Sequence, residues 1–153
     1  MSTPVGITVP KMLPITGTWT LPLTAYLYLL SVRVSLLRID SKKYVGNKTS
    51  EAEAAGNKPD PLEVAIRSHA NFVENVPMAL LAAAIVELNG GNRKILNGGL
   101  AALLLFRILH VEFGMRGAHA DGPGRLIGHA GTAGFLGGMS AYAVYLVKGY
   151  WGF

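Results

Sequence analysis

An all-α integral membrane protein, a bundle of four transmembrane helices in a single domain spanning residues 1–153, is predicted by three observations on the sequence. Half of the residues are hydrophobic and only 15% are charged. Mean hydropathy is +0.35, on the membrane side of the usual range. The charged residues fall in short stretches between long apolar segments, which places helices at about 12–38, 61–88, 94–114 and 123–148.

The first helix rests on residues 12–32, which carry no charge and suffice to cross the hydrocarbon core. Pro14 and Pro22 fall near its start, where an early turn or a kink accommodates them, and Trp19, Tyr26 and Tyr28 give it aromatic character. Arg33 and Arg38 lie at its far end; snorkelling to headgroups and contact with a ligand both suit that place. Residues 40–61 then mix Lys42, Lys43, Lys48 and Lys58 with Glu51, Glu53 and Asp60, broken by Gly46, Gly56 and Pro59, and read as a long exposed loop. Asp60 is placed to cap the second helix, with Pro61 in its first turn.

Asn89-Gly90-Gly91-Asn92 is a tight turn into the third helix. Neither inner segment, 75–86 or 95–106, is long enough to span alone, so each must draw its polar end partly into the membrane. Because the two run antiparallel, those ends coincide: Arg67, Asn71 and Glu74 are expected at the same surface as Arg107 and His110. A second polar loop, 114–124, leads to a fourth helix opened by Pro123-Gly124-Arg125; its apolar run from 126 to 147 is interrupted by His129, which is expected to pack on a neighbouring helix. Ala130, Gly134 and Gly138 on that helix have the spacing that lets helices approach closely in lipid. Tyr150 and Trp151 suit an interfacial anchor at its end.

The net charge of +5 does not point to nucleic acid, because the basic residues form no run interleaved with aromatics. Arg38, Lys42, Lys43, Lys48, Lys58, Arg67, Arg116 and Arg125 lie at one surface, against Lys11, Arg93, Lys94 and Lys148 at the other, so the first surface is expected to be cytosolic. Residues 1–14 lack the basic start and cleavage site of a signal peptide, and the first helix is expected to be a retained anchor. The chain has no cysteine, which excludes disulfides and a protein thiol nucleophile; thiol chemistry would need a thiol from a substrate. His69, His110, His119 and His129 show no two-ligand helical spacing, and no metal site is expected.

Around Arg67-x-x-x-Asn71-x-x-Glu74-x-x-Pro77 the rest is organised. At about 100° per residue, Arg67, Asn71, Glu74, Met78 and Leu81 share one helix face, charged at one end and apolar at the other. At a bilayer's edge such residues are costly and are expected to turn inward toward partners or a polar ligand; an interhelical ion pair is the structural alternative.

That pattern, together with Arg107-x-x-His110 on the third helix and Pro123-x-Arg125 opening the fourth, resembles the signature of the MAPEG superfamily, the membrane-associated proteins in eicosanoid and glutathione metabolism. The resemblance covers about residues 33–147. It implies a homotrimer of four-helix subunits that binds glutathione, as co-substrate, between neighbouring subunits near the cytosolic surface. It further implies a membrane-bound glutathione-dependent transferase or peroxidase acting on lipophilic electrophiles that partition from the bilayer lipid. Glutathione has two carboxylates, an ammonium group and a thiol. Arg67, Arg107 and either Arg33 or Arg38 suit the carboxylates, Glu74 the amine, and Asn71 and His110 further hydrogen bonds. Arg125 is the expected catalytic residue: in the first turn of the fourth helix, beside unpaired amides, a guanidinium would lower the thiol pKa of bound glutathione.

The sequence departs from the pattern in two places. Some relatives carry a Tyr one turn beyond the third-helix His, where this chain has Gly114 preceded by Phe113, and another carries a Ser directly after the fourth-helix Arg, here Leu126. A generic transferase or peroxidase therefore fits better than a specialised isomerase or leukotriene-forming enzyme. A non-catalytic lipid-binding or accessory member of the fold is the alternative, whereas a transporter is disfavoured by polar residues gathered at one end. The location expected is a multi-pass protein of the endoplasmic reticulum or another endomembrane, or of a bacterial inner membrane.

Overall fold

A computed structural model describes residues 12–49, 59–117 and 120–152. The expectations for residues 1–11, including Lys11, and for Glu51, Glu53, Gly56, Lys58 and His119 lie outside them. The described chain forms α1 (Pro14–Ser41), α2 (Pro61–Leu88), α3 (Arg93–His110) and α4 (Pro123–Val147). A π-helical turn, Val111–Met115, extends α3, and a 3₁₀ turn, Lys148–Trp151, follows α4. With the π turn counted into the third, all four helices are long and apolar enough to cross a membrane.

Helix ends are settled by specific groups. The first amides of α1 are taken by the carboxylate of Glu87, far along the chain on α2: Ile15 N–H and Thr16 N–H donate at 2.7 and 2.8 Å, and the Thr16 hydroxyl at 2.6 Å. A buried helix start would otherwise leave orphan donors. At its other end α1 continues past Arg38 to Ser41, closes on Lys42 in the left-handed region (φ 53°), and is held by Arg38, which donates to the carbonyls of Lys43 and Tyr44 at 3.3 and 3.1 Å. Asp60 caps α2 through Leu62 N–H at 2.9 Å, with Pro61 in the first turn as the sequence predicts. Between α2 and α3, Gly90 adopts φ +77° and Asn92 caps Lys94 at 2.8 Å.

The core runs along the bundle through Leu23 and Leu30 of α1, Phe72, Val76, Ala79, Ala83 and Val86 of α2, Leu96, Leu100 and Leu103 of α3, and Phe135 and Met139 of α4. Both α1 and α4 pack mainly on α2 and α3. Closeness between α3 and α4 depends on Gly124 and Gly128: a β-carbon at Gly124 would lie 2.8 Å from the Phe113 carbonyl carbon, and one at Gly128 would lie 2.5 Å from the Phe106 carbonyl oxygen. The small-residue face that packs within the subunit is thus Gly124, Gly128 and Thr132. Ala130, Gly134 and Gly138 face outward, with open space beside both glycines. Side-chain fit decides this rotation of α4: Phe135 and Met139 pack into the space that Gly99 of α3 leaves free, a contact alanine and glycine could not fill.

The third helix also departs from the expected 94–114. Its α-helical hydrogen bonding ends at His110, and Arg116 N–H bonds back five residues to Val111 O at 3.0 Å. The wider turn lets Gly114 meet the backbone of Arg125, which any side chain at that position would strike.

Candidate functional site

Polar side chains gather where the α1–α2 and α3–α4 loops lie. Deepest is Arg107, 2% exposed, whose Nη1 donates to Asn71 Oδ1 at 2.8 Å and whose Nη2 donates to the carbonyl of Gly128 at 2.7 Å. Its Nε has no partner, and no carboxylate pairs with it among the described residues. One turn further, His110 Nδ1 lies 3.0 Å from the carbonyl oxygen of Arg125. Two residues of α3 therefore grip α2 and α4 together. The Gly128 carbonyl, which also accepts from Thr132 at 2.8 Å, is reachable because no side chain stands in front of it.

Outside this grip opens a cleft of about 900 Å³ between α2 and the start of α4. Arg67, Asn71, Glu74, His110, Arg125 and His129 line it. The expected face of α2 is thus intact, but it turns outward from its own bundle, correcting the inward orientation read from the sequence: Arg67, Glu74, Met78 and Leu81 are all exposed. The opposite face, with Ser68, Phe72, Val76 and Ala79, takes the core side because it can be buried without stranding charge. The Arg67 side chain, 71% exposed, pairs with Glu63 at 3.7 Å, one turn away, a pair of small energetic weight. Arg125 is exposed in the first turn of α4, its Nη1 donating to Ala120 O at 3.1 Å. Gly122 stands at the N-cap there and contributes no side-chain cap. His129, one turn beyond Arg125, is exposed into the cleft instead of packing on a neighbouring helix, because the Gly128 face of α4 fills that contact.

Arg33 and Arg38 stand apart from this cleft. Arg38 is occupied by the loop carbonyls, and Arg33 pairs with Glu112, which also receives Arg116 at 2.5 Å and the Tyr26 hydroxyl at 3.3 Å. Arg33 and Arg116 border a second, more apolar cavity of about 460 Å³ between α1, the start of α2 and the π turn. Arg107 is behind the cleft wall, orienting Asn71, and is not on the surface. Glu112 falls at the polar end of α3 together with Arg107 and His110, but its pairing with Arg33 and Tyr26 was not foreseen. The available signal was Arg33 itself, since an arginine inside a spanning segment calls for a partner. The π turn that aims Glu112 at α1 has no sequence signature of comparable strength.

Arg67 and Arg125 thus share the cleft with the carboxylates of Glu63, Glu74 and Asp121, acidic and basic groups gathered from α2 and the start of α4 at one end of the bundle. No curated protein and no solved structure matches the chain. A family model described as the MAPEG family matches residues 16–145, most of the chain and all four helices of the bundle. Four spanning helices with the polar cleft at their shared end therefore belong to a multi-pass integral membrane protein of the MAPEG family, a family of eicosanoid and glutathione metabolism.

Proposed function

We propose that the chain is a membrane-bound, glutathione-dependent transferase or peroxidase for lipophilic electrophiles, working as a homotrimer with its cleft at the cytosolic surface. The observation that carries this reading is the 900 Å³ cleft itself, in which Arg67, Asn71, Glu74 and Arg125 converge from α2 and α4. Arg67 suits a glutathione carboxylate, Glu74 its ammonium group, and Asn71, fixed by Arg107, an amide. Arg125 and the amides of the first turn of α4 would hold the sulfur as thiolate, the form that attacks. The thiolate sulfur bonds to the electrophilic carbon as the leaving group departs with its electron pair. The outward turn of Arg67 and Glu74 supports a pocket completed by a neighbouring copy, and the bias of Arg38, Lys42, Lys43, Lys48, Arg67, Arg116 and Arg125 toward this end supports the cytosolic orientation.

Replacing Arg125 separates binding from chemistry. Arg125→Ala is expected to raise the thiol pKa of bound glutathione by about one unit and cut turnover of a model electrophile roughly ten- to hundredfold, leaving most of the affinity to the other groups. Thiolate absorbance against pH and steady-state rates report the two effects. Lysine at this position should restore only part of the rate. A variant with unchanged pKa and rate would reduce Arg125 to a topological charge. Wild-type protein that binds glutathione without turnover would instead identify an accessory member of the fold.

A further inference from the structure

We infer that His129 takes the proton from the thiol of glutathione as the thiolate forms, an assignment that rests on the glutathione reading above. His129 stands on α4 one turn past Arg125, and both side chains line the cleft. Side chains four residues apart on a helix start about 5–6 Å from one another, so a sulfur held against the Arg125 guanidinium lies within reach of the imidazole. His129 is exposed, and no hydrogen-bond partner holds its ring among the described residues.

Thiolate formation leaves a proton to be placed, and the cleft lining offers carboxylates and imidazoles as acceptors. Glu63, Glu74 and Asp121 are unsuited, because a carboxylate ordinarily titrates about four pH units below a thiol and transfer to it is steeply uphill. An imidazole is far better matched. Of the two that line the cleft, His110 is committed elsewhere. The Arg125 carbonyl, 3.0 Å away, can only accept, so the His110 proton sits on Nδ1. That ring is 5% exposed and one turn from the buried Arg107, where a second cation would go almost unhydrated. His129 has water at hand and shares the cleft with Glu74, whose carboxylate offsets the charge that the ring gains. In the transfer the S–H bond breaks, its electron pair stays on sulfur, and the proton moves to a ring nitrogen of His129. The result is the thiolate–imidazolium pair of a Cys–His couple, with the thiol supplied by the ligand because the chain has no cysteine. Once the sulfur has bonded to the electrophilic carbon, the imidazolium gives its proton to water at the open cleft. Arg125 thus supplies fixed charge and His129 a place for the proton.

The test mixes the full chain in phospholipid nanodiscs with reduced glutathione at about pH 7.5, where a free imidazole is mostly neutral. Thiolate is read by its absorbance, and protons released to a weakly buffered solution by an indicator dye. S-methylglutathione, which has no thiol proton, gives the baseline. Wild-type protein is expected to form thiolate while releasing far fewer protons than thiolates. His129→Gln should release close to one proton per thiolate, and its turnover of an activated aryl halide should fall roughly ten- to hundredfold near neutral pH and recover as the pH rises. Wild-type protein that releases one proton per thiolate, or a variant with the wild-type proton count and rate, would overturn the assignment and leave the glutathione reading standing. Absence of glutathione binding by calorimetry would remove both. Where His129→Gln fails to fold, the wild-type proton count decides by itself.

Discussion

Among the described residues Arg107 is a buried cation held by neutral groups, the amide of Asn71 and the carbonyl of Gly128. Removing one partner of a buried charged hydrogen bond strands the other, so Asn71→Ala is expected to cost about 1.5–3 kcal/mol in detergent unfolding. Adding Arg107→Met should restore part of that loss, because the stranded charge disappears with it; simple additivity of the two substitutions would show the contact to be incidental. Both residues stood out in the sequence as polar groups on apolar helices. That one is buried and orients the other, which lines the cleft, could not be read there, since spacing along each helix says nothing of which side chain reaches across.

At the scale of the element, α4 shows how a sequence pattern can name the right device on the wrong face. Gly128 meets Phe106 and His110 of α3, while Gly134 faces open space among the described residues. Gly128→Val is expected to destabilise the bundle by about 1–3 kcal/mol through overpacking, measured by thermal or denaturant unfolding. Gly134→Val should leave the unfolding of the isolated subunit almost unchanged and act, if anywhere, on association between copies. A reversed order of the two would mean that α4 is rotated from the position described. The π turn after His110 is a second element-level decision: it brings Glu112 to Arg33 and lets Gly114 lie against the backbone of α4.

For the whole molecule, the outward faces are the informative ones. Arg67 and Glu74 are exposed beside Met78 and Leu81, and the Ala130, Gly134 and Gly138 stripe is free on α4. A charged pair of residues at the edge of a bilayer with no covering element suits a subunit boundary. Native mass measurement in detergent is expected to give three copies of the 16.2 kDa chain. Gly134→Val should shift the distribution toward monomer if the small stripe lies at that boundary. A monomer alone would remove the shared pocket and leave the cleft open to lipid.

What the sequence by itself determined was the part that depends on local period and composition. Apolar length placed four spanning helices, Asp60 and Pro61 marked the start of α2, and the spacing of Arg67, Asn71 and Glu74 put them on one face. The coincidence of that face with Arg107 and His110 followed from two antiparallel helices joined by a short turn. Only the tertiary structure decided how each helix is rotated about its axis. That choice turned Arg67 and Glu74 outward, buried Arg107, aimed His129 into the cleft and gave Arg33 to Glu112 rather than to the cleft. The physical reason is that lipid-facing and core-facing sides of a membrane helix are almost equally apolar, so hydrophobic pattern fixes length but not rotation, which is left to the fit of side chains such as Phe135 against gaps such as Gly99.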